Sequence, residues 1–150
     1  MNIPPLRVSF SKKQIESIQS KVGEVLQSGQ LTNGKYVAEF EEKFADYLGT
    51  KYAVGVNSGS SALEVSLRGV GVKNSTVIVP SNTFIATPYS VLRAEGKIIF
   101  CDTLREDLGL NPEDLKEKIR EDTKAVIPVH MGGVVSSRLP EIEEICGENN

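Results

Sequence analysis

The stretch Asn57-Ser58-Gly59-Ser60-Ser61 carries the most chemical content in this sequence. It follows an apolar run, Tyr52 to Val56, and passes straight into a helical pattern. Free backbone N–H groups, hydroxyls and the positive end of a helix would converge there, which is how proteins cradle a phosphate. Ser58 and Ser60 could equally be plain helix caps, a role serine often fills. Taken alone, the stretch admits both readings.

Three further residues could do chemistry. Phe84 lies near the expected start of a helix, where its ring could stack on a planar ligand or simply pack in the core. His130, the sole histidine, ends an apolar run and precedes Gly132-Gly133, which would let a ligand approach the backbone. It could also be structural. Asp102 closes another apolar run and could be a turn former. Gly29-x-x-x-x-Gly34-Lys35 has the spacing of a nucleotide-binding P-loop. It follows a helical pattern rather than a strand, and Tyr36 stands where a Mg²⁺-binding hydroxyl is required, so it is discounted. No Gly-x-Gly-x-x-Gly occurs.

The elements that must position these residues are legible as an alternation. Two helices come first. One runs from Ser11, with Gln14 at capping-box spacing, through the stripe Ile15, Ile18, Val22, Val25 and Leu26 to Gly29. The other runs from Gly34 to Gly49, with Val37, Phe40, Phe44, Tyr47 and Leu48 as a buried face and Glu39, Glu41 and Glu42 as a solvated one. Strands are then expected at Tyr52 to Val56, Thr76 to Val79, Lys97 to Phe100 and Ala125 to Val129. Helices are expected at Ser60 to Arg68, Thr83 to Ala94 and Pro112 to Arg120, the last capped by Asn111. A final helix spans Leu139 to Cys146, with Gly147 as its stop. Strands apolar on both faces that alternate with helices imply a mostly parallel sheet covered on both sides. Ligands then bind beyond the carboxyl ends of the strands, where all the residues above collect. A crossover helix with no strand after it reads as an incomplete chain.

Composition narrows the class. The chain has 150 residues, 39% of them hydrophobic, enough for one domain with a core. A net charge of -3 with scattered lysines leaves no basic stripe for nucleic acid. Cys101 and Cys146 are not paired with other metal ligands and read as reduced, buried and cytosolic. Met1 to Phe10 lacks the apolar core of a signal peptide, and no run is long enough to cross a bilayer. Asn74-Ser75-Thr76 is read as a chance glycosylation sequon.

In order along nearly the whole chain, the sequence resembles the DegT/DnrJ/EryC1/StrS family of pyridoxal-phosphate-dependent sugar aminotransferases. The residues that carry this are Ser28-Gly29-Gln30-Leu31-Thr32-Asn33-Gly34, Phe40-Glu41-Glu42-Lys43-Phe44-Ala45, and Tyr52-Ala53-Val54 leading to Asn57-Ser58-Gly59-Ser60-Ser61-Ala62-Leu63. They continue with Val79-Pro80-Ser81-Asn82-Thr83-Phe84-Ile85-Ala86-Thr87, Cys101-Asp102, Thr123-Lys124-Ala125-Val126, and Pro128-Val129-His130 with Gly132-Gly133. Each segment is weak; the ordered set is specific.

The resemblance implies the large domain of a fold-type-I pyridoxal-phosphate transferase, an α/β fold of three layers that this chain carries incompletely. Residues 1–150 would form its amino-terminal part, with the rest of the large domain and a small carboxy-terminal domain absent. It implies that Gly59, Ser60 and Ser61 hold the cofactor phosphate, Ser60 standing where the family more often has threonine. Phe84 would stack on the pyridine ring. Thr32, Asn33 and His130 would lie near the substrate.

The implied reaction transfers an amino group from an amino acid such as glutamate to a nucleotide-linked keto-sugar, in a cytoplasmic homodimer. The Schiff-base lysine and the aspartate that pairs with the ring nitrogen have no match in this chain; Lys51, Lys73, Lys97 and Lys124 begin or flank strands at the wrong edge. The chain by itself is therefore expected to bind cofactor poorly and to be inactive. In the resembled fold the first strand is separated from the other three, so the isolated chain is also expected to aggregate or to belong to a longer polypeptide. Alternatives are a sugar dehydratase of the same family, with histidine in place of that lysine, a non-catalytic binding or regulatory protein, and an unrelated nucleotide-binding domain. The last would need a Mg²⁺ ligand near Ser60, and none is evident.

Overall fold

The computed structural model describes residues 7–149, which divide into two compact units between Gly55 and Val56. Of the leader reading at residues 1–10, residues 1–6 lie outside the described residues.

The first unit is a helical hairpin. Helix α1 (Lys12–Ser28) opens with the expected capping box: Gln14 N–H donates to Ser11 Oγ at 3.3 Å, and Ser11 N–H donates to Gln14 Oε1 at 2.8 Å. Gly29, at φ 69°, closes it in the left-handed conformation that glycine tolerates best. Helix α2 (Lys35–Leu48) ends likewise at Gly49. Phe40 and Phe44 stack with ring centroids 5.5 Å apart. The two apolar stripes are not the buried faces the periodicity suggests. Ile15, Ile18, Val22 and Leu26 of α1 and Phe40, Phe44, Tyr47 and Leu48 of α2 are all exposed, and of the residues in the two helices only Ala45 is buried. A periodic stripe records that a helix has a burying side, not that a partner covers it.

The second unit is the α/β layer. Helix α3 (Gly59–Val70) leads to strand β1 (Thr76–Pro80), α4 (Ala86–Arg93), β2 (Lys97–Cys101), α5 (Pro112–Lys118), β3 (Thr123–Val126), a 3-10 turn at Met131–Gly133 and α6 (Leu139–Glu148). The strands are all parallel, in the order β2-β1-β3. Strand β1 is buried on both faces. Val77 and Val79 pack with Leu67, Val72, Val91 and Ala94 on the α3/α4 side. Ile78, pointing the other way as a strand's period of two demands, packs with Leu110, Leu115, Ile142 and Ile145 on the α5/α6 side. Parallel crossovers are right-handed. The chain steps from β1 to β2 in one direction and from β2 past β1 to β3 in the other, so the connecting helices fall on opposite faces.

Five sequence expectations change. Residues 52–56 form no strand, because a strand exists only by pairing and nothing among the described residues pairs with them. Strand β3 stops at Val126 rather than Val129, although Ile127 N–H still donates to the Ile78 carbonyl at 2.9 Å. Gly147 does not stop the last helix but lies inside it; Asn149 caps it, its side-chain amide donating to the Ile145 carbonyl at 2.8 Å. Helix α4 begins at Ala86, three residues later than the pattern suggests, and α5 ends at Lys118.

Ion pairs brace both ends of the α/β layer. Arg68 and Arg93 hold Glu64 below the usual carboxylate range, Lys73 does the same for Glu95, Lys97 for Asp122, and Arg138 for Glu113 and Glu141. Every one of these shifts is downward. Their contribution is therefore complete above the ordinary values of 3.8 to 4.5 and disappears as pH falls through the lower folded-state values. The urea midpoint should accordingly drop steadily below about pH 4.5, near the unperturbed carboxylate range. A midpoint that stays flat from pH 6 to about pH 3 would contradict this account of the ion pairs.

Candidate functional site

The carboxyl edge of the sheet is fixed by the ends of β1, β2 and β3. Helix α3 reaches that edge by its amino end. Its carboxyl end is tied to the opposite edge, where Ser75 N–H donates to the Val72 carbonyl and Asn74 N–H to the Glu95 carbonyl, both at 2.9 Å. A helix of this length spans about 18 Å and a five-residue strand about 16 Å, so the two run the depth of the layer together. Helix α4 lies beside α3 in the same sense. Arg68 donates to the Arg93 carbonyl and pairs with Glu95 at 3.6 Å, at the carboxyl ends of both helices. The amino ends of α3 and α4, bearing Ser58 to Ser61 and Phe84, therefore share one edge.

At that edge Ser58 is the cap of α3. Its Oγ accepts from Ser61 N–H at 3.2 Å, and the Ser61 hydroxyl donates to Asn57 Oδ1 at 2.7 Å. Capping thus occupies Ser58 and part of Ser61. The N–H groups of Gly59 and Ser60 and the Ser60 hydroxyl have no protein partner among the described residues, and both residues are exposed. Capping and anion binding are thus not alternatives here: Ser58 does the first and leaves Gly59 and Ser60 free for the second. Two free N–H groups, a hydroxyl and the positive end of a 12-residue helix fit a phosphate.

Phe84 is 75% exposed, in the turn between β1 and α4, so it is not a core residue. His130 is also exposed; its carbonyl accepts from Gly133 N–H at 3.0 Å. Gly132 and Gly133 have φ of 63° and 82°, a conformation that residues with a Cβ rarely adopt. The loop after β1 leads to one face of the sheet and the loops after β2 and β3 to the other, so the end of β1 is a topological switch point, the place where open α/β sheets hold a ligand crevice. Phe84 and His130 belong to loops on its two sides. Thr32 and Asn33 are in the other unit, exposed in the turn between α1 and α2, with Asn33 at φ 49°. Asp102 serves its turn: its N–H donates to Asp114 Oδ2 at 2.7 Å and its carbonyl accepts from Asn111 N–H at 2.9 Å.

Sequence reasoning missed a set of residues that tie these loops together. Asp107 Oδ1 accepts from Gly109 N–H at 2.9 Å, and Oδ2 accepts from Ser137 N–H at 2.8 Å and from the Ser137 hydroxyl at 3.2 Å. Those bonds, the one from Gly109 foremost, hold the Asp107 carboxyl below its usual range. Asn82, in the loop after β1, donates from Nδ2 to the Leu108 carbonyl at 3.1 Å. An Asp-x-Gly sequence is a turn signal and could have been noticed; its partner, 30 residues away, could not.

No group of three or more potential metal ligands occurs among the described residues. The P-loop-like spacing is a helix-to-helix turn, with Lys35 paired to Glu24 at 2.5 Å. Lys97 opens β2, at the edge opposite the crevice. Cys101 is buried, and burial pushes its thiol up to about 12, so it is no nucleophile. No described helix is long and apolar enough to cross a membrane.

The model of the DegT/DnrJ/EryC1/StrS aminotransferase family matches residues 12–150. The chain is 32% identical over 130 residues to 3-oxo-glucose-6-phosphate:glutamate aminotransferase of Bacillus subtilis, covering 86% of this chain and 30% of the relative. Among solved structures, NtdA from Bacillus subtilis with bound cofactor PMP superposes at a TM-score of 0.85 with 31% identity, covering 93% of this chain and 32% of that one. The E. coli GDP-4-keto-6-deoxy-D-mannose-3-dehydratase with bound hydrated PLP superposes at 0.83, also with 31% identity, covering 97% and 38%. The chain thus spans about a third of the length of the proteins it matches.

Proposed function

Since the chain belongs to the DegT/DnrJ/EryC1/StrS aminotransferase family, we propose that it forms the amino-terminal part of the cofactor-binding large domain of a pyridoxal-phosphate enzyme. That enzyme moves an amino group from an amino acid such as glutamate to a nucleotide-linked keto-sugar. The observation that carries this reading is the pairing, on one sheet edge, of a helix start with two unbonded N–H groups and an exposed aromatic ring at Phe84.

Pyridoxal phosphate, when bound, supplies a ring that accepts the electron pair released as bonds break at the amino-bearing carbon. The chain's own residues bind and orient. Gly59 and Ser60 give N–H groups to the phosphate and Ser60 its hydroxyl, with the α3 macrodipole favouring the negative charge; the Ser61 hydroxyl, which donates to Asn57 Oδ1, joins them only by turning away from that partner. Phe84 presents a flat apolar face to the ring and keeps water from one side of it. His130 and, from the first unit, Thr32 and Asn33 are assigned to the sugar side. We place the enzyme in the cytoplasm as a homodimer, as the resemblance to its family implies. The lysine that holds the cofactor and the acid that pairs with its ring nitrogen have no counterpart among these 150 residues; the 150-residue chain alone should be inactive.

The test uses the polypeptide as its gene encodes it. Added pyridoxal phosphate should give a visible absorption band that borohydride removes, and glutamate with a nucleotide keto-sugar should yield the amino-sugar. No band would end the enzyme reading and leave a binding or regulatory protein. The dehydratase neighbour favours one second reading, sugar deoxygenation. In that case the band would form but borohydride would not fix the cofactor to the protein.

A further inference from the structure

Three loops leave the carboxyl edge, and one short turn is bonded to the other two. That turn, Asp107-Leu108-Gly109, sits at the tip of the excursion between β2 and α5. The excursion is closed on itself: Leu104 N–H donates to the Gly109 carbonyl at 2.8 Å, Leu108 N–H to the Leu104 carbonyl at 3.1 Å, and Asn111 N–H to the Asp102 carbonyl at 2.9 Å. Thr103 and Leu110 pair as an antiparallel bridge. On one side Asn82, two residues before Phe84, donates to Leu108. On the other, both carboxylate oxygens of Asp107 are engaged, one of them by Ser137, in the segment joining His130 and Gly133 to α6.

Two features show that this contact is tightly set. Leu108 is held at φ 59°, a conformation costly for a residue with a Cβ, and turning it there presents its carbonyl to Asn82. A Cβ added at Gly109 would lie 2.5 Å from Cβ and Oγ of Ser136, so the turn and the 134–138 segment are in contact that no side chain at 109 could share.

We propose that Asp107 is a positioning residue: through Ser137 on one side and the Leu108–Asn82 bond on the other, it fixes the spacing of the His130 and Phe84 loops and so the orientation of a ring bound between them. The ring-orienting half of this rests on the pyridoxal reading above; the loop-bracing half does not. Nothing in the arrangement puts Asp107 on the ligand itself, and its charge is spent on backbone and hydroxyl donors.

The experiment compares the wild-type polypeptide, as its gene encodes it, with Asp107→Asn and Ser137→Ala. Asparagine keeps the shape but cannot accept with both arms. Amide exchange without ligand should quicken about tenfold in residues 130–137, the size expected for loss of one charge-assisted bond. Exchange in α1, whose local opening leaves the Asp107–Ser137 contact intact, should stay near wild type. At saturating pyridoxal phosphate, the induced circular dichroism per bound cofactor should fall in Asp107→Asn. That signal reports ring orientation, which a mere loss of stability would not alter. Ser137→Ala retains the N–H and should show the same changes to a smaller degree. Unchanged exchange at 130–137, equal quickening in α1, or an unaltered dichroic signal would each overturn the proposal. A wild-type protein with no visible band would remove the pyridoxal reading and the ring-orienting half with it, while the exchange arm still decides the bracing.

Discussion

Ser60→Asp should abolish useful cofactor binding while leaving the fold as stable as before or slightly more so. An acidic side chain in the first turn of α3 interacts favourably with the macrodipole, by about 0.3–1 kcal/mol. The same carboxylate beside a phosphate is repelled. Two unit charges 4 Å apart interact with about 1 kcal/mol in water and about 4 kcal/mol near a protein surface, and a dianion doubles either figure. Affinity should therefore drop on the order of a hundredfold or more. If Ser58 to Ser61 only cap a helix, the substitution is harmless to everything. Melting temperature and a pyridoxal phosphate titration, measured on the same preparation, separate the two cases: unchanged affinity with raised stability would end the phosphate reading. Ser60→Ala is the milder companion, removing the hydroxyl and keeping the N–H.

The second large effect is on the core. Ile78 is wholly buried at the middle of β1, paired with Ile99 on one side and Val126 on the other, and capped on the α5/α6 face by Leu115, Ile142 and Ile145. Cutting it to alanine should cost about 2–5 kcal/mol, because the parallel ladders on both sides leave the backbone little freedom to close the hole. Against a typical total of about 5–15 kcal/mol, that is enough to unfold a marginal domain. Ile78→Val should cost about 0.5–1.5 kcal/mol and serves as the control. Denaturant titration reads both. A loss below about 1 kcal/mol in the alanine variant would mean that β1 is not the centre of the core.

What could be read in the sequence was what local chemistry dictates. The Ser11 capping box, the glycine stops at 29 and 49, and the Asn111-Pro112 start of α5 involve residues within a turn of one another, and all appear where the pattern placed them. The β1, β2 and β3 segments were legible as short apolar runs, although only the central β1 is buried along its whole length and the flanking β2 and β3 are partly exposed. The Asn57–Ser61 stretch and Phe84 stood out because polar and aromatic residues at strand ends are unusual in such a layer. The failures share a cause. Residues 52–56 have strand composition, but pairing is a property of two segments. The α1 and α2 stripes have burying composition, but coverage needs a second surface. Gly147 looks like a stop, but the helix runs through it to Glu148, and the Asn149 side chain takes up the Ile145 carbonyl at its end. The Asp107 bracing joins residues 30 apart, and its local Asp-x-Gly turn signal says nothing of the partner.

The strand order β2-β1-β3 has a kinetic corollary. Bringing β2 beside β1 closes residues 81–96, whereas seating β3 on the far side closes residues 81–122, a loop more than twice as long. Closure entropy grows only logarithmically, by about 0.6 kcal/mol per doubling, so the longer closure is disfavoured by no more than about 1 kcal/mol. The two closures therefore cost nearly the same, and chain entropy obliges neither pairing at the central strand to precede the other.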